Sequence, residues 1–387
     1  RPVYFKQPPM STSSHTEILE YLNHGDADLA VRRLLDYCLD TGQDALISEA
    51  IRLSQAYHQA IEIGPIPASF TEQARSLIDK AAATGQTNPV PQPLITADQV
   101  AKTYSGGGFS LKPISFTLQT GQVLGVVGEN GNGKTTLLRC LAGQLALDGG
   151  KVDYHLLRKP DYYAIKNHIA FIPQRIPKWY GLLKDNLHFS AAISGIHGPE
   201  NDRMVDFMLE RLNLSRYAHL TWSQISSGYR TRFEIARILL QRPRLLILDE
   251  PLANLDINAQ QTILTDLVFM ARAAHNPMGI VLSSQQLHEV EKVADTVIFI
   301  KDGNCLYSSA DKAEKITSTA IEFETMLDRE SIHRLFAAGS VSLQYNGGFY
   351  TIESTGLSAA EILATLVNAK VPLTYYRDIT YSTKRFF

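Results

Sequence analysis

The chain has 387 residues, room for two or three domains. A formal net charge of −2 gives no global basic field and so no nucleic-acid partner, and 44% apolar with 20% charged residues is the composition of an ordinary soluble globular protein. No apolar run approaches the roughly 18 residues that cross a membrane. The three cysteines, Cys38, Cys140 and Cys305, are too far apart for a metal site and read as thiols of a reduced, cytosolic chain. The first residue is Arg1 rather than Met, which leaves room for an upstream segment, including a targeting or membrane one.

Residues 1–15 are rich in Pro and Ser and read as an extended or disordered N-terminus. Over 16–83 apolar residues recur at helical spacing (Ile18, Leu19, Leu22; Leu29, Leu34, Leu35, Cys38; Ile47, Ile51, Leu53), with Gly25 and Gly42 as stops, which predicts a small helical accessory domain of three or four helices. A polar, Pro-rich stretch at 84–93 reads as a linker. From 94 to 312 strand and helix patterns alternate, the mark of an α/β domain with a mainly parallel sheet. Residues 313–387 change character again. Strands over 320–324, 341–345, 349–353 and 373–379, with helices over 329–337 and 358–369, give the order β-α-β-β-α-β of a ferredoxin-like accessory domain.

Two motifs in the α/β region carry chemistry. Gly128-Glu129-Asn130-Gly131-Asn132-Gly133-Lys134-Thr135 fits the phosphate-binding P-loop, and it stands between an apolar strand run (Val123 to Val127) and a helical run beginning at Thr136. Gly128, Gly131 and Gly133 let backbone N–H groups, Asn130 among them, curl around an anion, and the helix N-terminus adds partial positive charge. Lys134 would reach the β- and γ-phosphates of a nucleotide, and Thr135 would hold Mg²⁺. Arg244 to Pro251 is an apolar strand ending in Asp249 and Glu250. A buried parallel strand delivers both carboxylates to the sheet edge beside the P-loop, where Asp249 suits a direct or indirect hold on Mg²⁺ and Glu250 suits a general base acting on water.

With both motifs in place, residues 94–312 resemble the nucleotide-binding domain of ABC transporters, a P-loop NTPase cassette with a helical subdomain. The most specific string is Ser226-Ser227-Gly228-Tyr229-Arg230, leading through Ala236-Arg237 and Pro243 to Leu248-Asp249-Glu250-Pro251. It is similar to the family's signature helix followed by its carboxylate strand. The resemblance implies ATP and Mg²⁺ as cofactors and ATP hydrolysis as the reaction. It implies that Ser226 and Gly228 contact the γ-phosphate of ATP held by a second ATPase subunit, identical or related, and that Asp256, in Asn254-Leu255-Asp256, crosses the same interface. Tyr104 matches the aromatic that stacks on adenine, the alternative being a half-buried strand Tyr; Thr136 closes the phosphate loop; Gln174 matches the residue linking Mg²⁺ and water to the membrane partner.

The chain departs from the family at two places. Ser227 replaces a signature glycine, and Gln285, in Ser283-Ser284-Gln285-Gln286, stands where the family has a His at the γ-phosphate. A Gln donates a hydrogen bond but carries no titratable proton, so slowed turnover is expected; His288, three residues on, reads as a solvated helix residue. The resemblance implies an ATPase subunit on the cytoplasmic face of a membrane that drives a separate transmembrane permease. Ile176, Trp179, Tyr180, Leu182 and Leu183 are either the permease groove or the core of the helical subdomain. The terminal pattern from Val371 to Phe387 is similar to exporters of the ABC-2 class. The alternatives are a soluble ABC-type ATPase and a nucleotide-dependent regulatory switch. The interval from Lys134 to Ser226 is too short, and lacks the heptads, for the coiled coils of chromosome-type members. The 16–83 domain reads as a protein-docking module or an added packing layer.

Overall fold

Four helices open the chain in the computed structural model: α1 (Ser14–Asn23), α2 (Ala27–Asp40), α3 (Asp44–Ile63) and α4 (Ala68–Ala82). The structure describes residues 14–84, 90–106, 108–155, 157, 161–253, 255–308, 318–336 and 339–380; the expected extended segment at 1–13, most of the linker at 85–89, Asn254 and the terminal residues 381–387 lie outside it. Asp26 starts α2 by accepting the Leu29 N–H at 3.2 Å, one of the donors a helix leaves unpaired at its first turn. Its apolar stripe (Val31, Leu34, Leu35, Cys38) packs against Ile47, Ile51 and Leu53 of α3.

The α/β region begins with β1 (Pro93–Thr103) and β2 (Ser110–Gln119), which with β4 (Gly149–Tyr154) form an antiparallel sheet in the order β2-β1-β4. The second sheet has the order β5-β6-β7-β3-β8-β9, built from β3 (Val123–Val127), β5 (Ile169–Ile172), β6 (Leu245–Leu248), β7 (Gly279–Ser284), β8 (Thr296–Lys301) and β9 (Asn304–Ser308). All neighbours are parallel except β8 and β9. Its strands are apolar on both faces because both are covered. Leu124, Val126, Leu245, Ile247 and Val281 face the antiparallel sheet and α5 (Lys134–Leu141). Val123, Leu246, Leu248, Ile280 and Leu282 face the side packed by α10 (Ile257–Ala271).

Between β5 and β6 the chain leaves the sheet to form a helical insert, α7 (Leu183–Ile193), α8 (Gly198–Arg211) and α9 (Ser227–Leu239); the short α6 (Tyr162–His168) precedes β5. After β7 comes α11 (Leu287–Val290). The last unit runs β10 (Thr319–Glu324), α12 (Arg329–His333), β11 (Ser342–Asn346), β12 (Phe349–Ser354), α13 (Ala359–Asn368), β13 (Tyr375–Asp378). Its sheet order, β11-β12-β10-β13 with antiparallel neighbours, is ferredoxin-like. It has its own core around Phe323, Ile352 and Ile362, and Arg377 reaches Glu291 beyond α11 at 3.6 Å.

The N-terminal helices are a packing layer on the cassette: their core is continuous with that of α8, α9 and α10. Polar contacts fix the seam. Glu210 on α8 accepts from Ser54 Oγ at 2.6 Å and from Ser215 Oγ at 2.7 Å, and lies 3.0 Å from His58 Nδ1. Burial pushes the Glu210 carboxyl up, but the bonds from His58, Ser215 and Ser54 outweigh it and hold the carboxyl below its ordinary value. Arg211, only 2% exposed, donates to Asp36 of α2 at 2.6 Å and to Asp266 of α10 at 2.8 Å, and Arg32 of α2 donates to the same Asp266 oxygen at 2.7 Å.

Removing Arg211 leaves Asp266 with Arg32 alone and Asp36 with Arg33 alone, and breaking a buried ion pair costs up to about 3 kcal/mol. Arg211→Ala is therefore expected to lower the thermal midpoint clearly, measured by calorimetry, while Arg334→Ala, at an exposed pair, leaves it unchanged.

Burial also pushes the Asp40 carboxyl up to about 6, although the His275 backbone N–H donates to it at 2.7 Å. A carboxyl raised in this way stabilises the fold while protonated, and that contribution is lost as pH rises through about 6. Asp40→Asn should raise the midpoint relative to wild type at about pH 8 and not at about pH 4.

Candidate functional site

β3 ends in the glycine-rich loop, which turns into α5. Gly133 has φ +103°, and a Cβ there would sit 2.5 Å from Cζ of Phe109, so this position requires glycine. Lys134 opens α5 and is 5% exposed. Its ammonium donates to the carbonyl of Gly128 at 2.7 Å and of Glu129 at 3.1 Å, and lies 2.9 Å from Glu250 Oε1. That last contact lies off the hydrogen-bond direction, so Oε1 is ion-paired yet without a hydrogen bond. Glu250 is 8% exposed and has φ +52°, a left-handed backbone uncommon outside glycine.

β6 places Asp249 just past its end, beside β7. Asp249 Oδ2 accepts from Thr135 Oγ at 2.8 Å and Oδ1 accepts from Ser283 Oγ at 2.8 Å; Ser283 Oγ in turn accepts the Glu250 N–H at 2.9 Å. A hydroxyl and carboxylates are the hard oxygen donors that suit Mg²⁺ alongside phosphate oxygens, and one or two carboxylates suffice for it. No group of three or more His, Cys, Asp or Glu residues able to hold a metal occurs among the described residues.

Tyr104, Phe109, Asn130, Gly131, Gly133, Lys134, Thr135, Thr136, Gln174 and Glu250 line one cavity of about 280 Å³. The Tyr104 hydroxyl lies 3.4 Å from that of Thr136. Of the residues read from the sequence, Gly128 and Asp249 sit behind the lining, one supplying a carbonyl to Lys134 and the other anchored to Thr135. Ser226, exposed, is the N-cap of α9. Gly228 lies in its first turn, and Asp256 is the exposed cap of α10, accepting from Ala259 N at 2.9 Å. These three lie away from the cavity.

Gln285, expected at the γ-phosphate, is exposed and does not line the cavity; the chain leaves β7 there and turns into α11, with the Gln286 N–H donating to Ser284 Oγ at 3.0 Å. His288 is solvated and pairs with Glu289. The five candidate groove residues divide: Trp179 stacks on Trp222 and is buried, as is Leu183, Ile176 is half-buried, and Tyr180 and Leu182 are exposed.

Three residues of the site were not read from the sequence. Phe109 packs on the phosphate loop; its only signal was an aromatic after a glycine run. Asn132 ties the loop to the β8–β9 turn, accepting Asp302 N at 3.0 Å, but filled a free position of the motif. Ser283 interrupts an otherwise apolar buried strand, and that interruption was the signal. Burial pushes the Cys140 thiol up to about 11 and that of Cys38 up to about 12, so both remain protonated and inert.

A glycine loop entering a helix through Lys-Thr, with a carboxylate pair at the edge of the same parallel sheet, defines a P-loop ATPase. The family model for ABC transporters matches residues 111–253. An ABC transporter ATP-binding protein of Bacillus subtilis, YxlF, is 30% identical over 212 residues, covering 54% of this chain and 68% of its own. A phosphonates import ATP-binding protein of Treponema denticola is 26% identical (55% and 88% covered), and a methionine import ATP-binding protein of Geobacillus kaustophilus is 27% identical (71% and 83% covered). Among solved structures, cbiO1 of Clostridium perfringens, part of the transporter complex cbiONQ, shares the fold with a TM-score of 0.51 at 24% identity, over 63% of this chain and 94% of that one. The chain belongs to the ABC transporter ATP-binding proteins and is an ATPase of that family.

Lys134→Ala deletes the buried cation of the glycine loop and should weaken ATP binding about tenfold or more, read by fluorescence titration with a nucleotide analogue. Unchanged affinity in this variant would remove the loop as the nucleotide site.

Proposed function

We propose that the chain binds Mg·ATP, closes against a second ATPase subunit around two nucleotides, hydrolyses them, and in doing so drives a separate membrane permease. The observation that supports this most is the buried Lys134–Glu250 pair at 2.9 Å. A cation suited to β/γ-phosphate oxygens and a carboxylate suited to a water proton share one cavity. The γ-phosphate takes Lys134 from Glu250, and the freed carboxylate becomes the base. Thr135, Gln174 and, directly or through Thr135, Asp249 would hold Mg²⁺, which when bound neutralises charge on the phosphate oxygens. Tyr104 is the adenine platform. Ser226 and Asp256, exposed, and Gly228, half-buried, all off the cavity, suit contact with the opposite subunit's nucleotide.

No helix among the described residues is long and apolar enough to cross a membrane. The permease contact is drawn from the helical insert, where Tyr180, Leu182, Phe189 and Ile193 are exposed apolar side chains on and beside α7. On this reading the subunit works at the cytoplasmic face. The two relatives named above whose names state a direction are importers; the export reading rests on the C-terminal pattern, and transport by the chain paired with its permease decides it.

A second reading, a nucleotide-dependent switch with slow turnover, is favoured by the exposed Gln285. On this reading Gln285 meets the γ-phosphate once ATP is bound, and Gln285→His should raise the hydrolysis rate.

Glu250→Gln should keep ATP binding, stop turnover and accumulate an ATP-bound dimer, seen by light scattering with ATP and Mg²⁺, because an amide cannot take the proton of water. Wild-type turnover in this variant would assign the base elsewhere.

A further inference from the structure

One buried hydroxyl touches both carboxylate-bearing residues of the site. Ser283, at 0% exposure near the end of β7, donates to Asp249 Oδ1 at 2.8 Å and accepts the Glu250 backbone N–H at 2.9 Å. β7 is apolar from Ile280 to Leu282, pairs with β6 up to Leu248↔Leu282, and needs no hydroxyl for packing. A buried hydroxyl is favourable only when its hydrogen bonds are made, and this one makes a donor and an acceptor bond to two consecutive residues of the neighbouring strand end.

The geometry points to Ser283 as a positioning residue for ATP hydrolysis, acting through Asp249 and Glu250 rather than on the nucleotide. This rests on the reading of Glu250 as the base. Two effects follow from the bonds. Asp249 has one oxygen taken by Ser283 and the other by Thr135. Its carboxylate plane is thereby fixed, and because Asp249 accepts the Thr135 proton, the lone pairs of that hydroxyl are left for a cation. Glu250 sits at φ +52°, where a side chain other than glycine is strained and must be held by its surroundings. The bond from its N–H to Ser283 pins that conformation, which turns the carboxylate off the strand direction and to within 2.9 Å of Lys134. Gln285, two positions further along the chain, is exposed. The part of β7 that reaches the reacting groups is Ser283.

The test uses the full chain as wild type, Ser283→Ala, Ser283→Thr and Glu250→Gln. Three quantities are measured: ATP affinity without divalent cation, the Mg²⁺ concentration that half-saturates the gain in ATP affinity, and kcat with KM. Ser283→Ala should bind metal-free ATP within about twofold of wild type and need severalfold more Mg²⁺. Its kcat should fall about tenfold with KM little changed, a loss equivalent to about 1.4 kcal/mol. Ser283→Thr, which keeps the hydroxyl, should recover most of both. The proposal is overturned if Ser283→Ala turns over like wild type with the same Mg²⁺ requirement. It is equally overturned if its losses match a fall in thermal midpoint and metal-free affinity that the Thr variant does not recover. Full activity in Glu250→Gln instead overturns the reading of the base, and this inference with it; an inactive Glu250→Gln beside an unimpaired Ser283→Ala rejects Ser283 alone.

Discussion

The Lys134–Glu250 ion pair is the constraint around which the nucleotide site is organised. Both partners are nearly buried, and in a medium poorer than water each charge needs the other. Lys134 arrives at the end of β3 and Glu250 at the end of β6, two strands that are not neighbours. They meet because every strand from β5 to β8 runs the same way, so all their C-terminal ends open on one edge. β7, which lies between them, contributes Ser283 to the same edge. The arrangement holds a cation and a carboxylate against each other at that edge.

The parallel sheet can serve this way only because it is covered on both sides. The antiparallel sheet and α5 close one face, while α10, the helical insert and the N-terminal helices close the other. The insert interrupts the chain between β5, which precedes Gln174, and β6, which precedes Glu250, so α9 and the sheet edge that carries Glu250 are built from one stretch of sequence. The four N-terminal helices are part of this second layer. Their apolar stripes are spent on the cassette, and Glu210 and Arg211, adjacent on α8, face them with opposite charges, each paired.

The sequence made the phosphate loop, its strand and helix, and the Asp249-Glu250 strand end legible, because each is a local pattern with a fixed physical requirement. The alternation of faces within β3 and β6 was invisible in runs that are apolar throughout. For Gln285 the register of the motif can be carried over from a resemblance, but the turn into a helix as short as α11 cannot, and that turn decides where the side chain points. Ser283 and Phe109 act through contacts between segments far apart in the chain, and their local signals, a hydroxyl at the end of an apolar strand and an aromatic after a glycine run, do not say what they touch. The Trp179 and Tyr180 pair shows the limit at its narrowest. Both are aromatics beside the Gln174 loop, and whether each belongs to core or surface depended on Trp222, more than forty residues away, stacking on one of them.

The arginine–aspartate contacts where α2, α8 and α10 meet have a mechanical consequence. The insert of α7 to α9 is joined to the sheet at two crossings, after β5 and before β6, a linkage on which it could rock as one body. α2 lies across that seam, with Arg211 answering to Asp36 on one side and Asp266 on the other. A rocking insert must carry the N-terminal layer along or strip a guanidinium of its carboxylates in a dry interior. Resistance to such a motion therefore comes partly from α2, a segment that lies outside the nucleotide cavity.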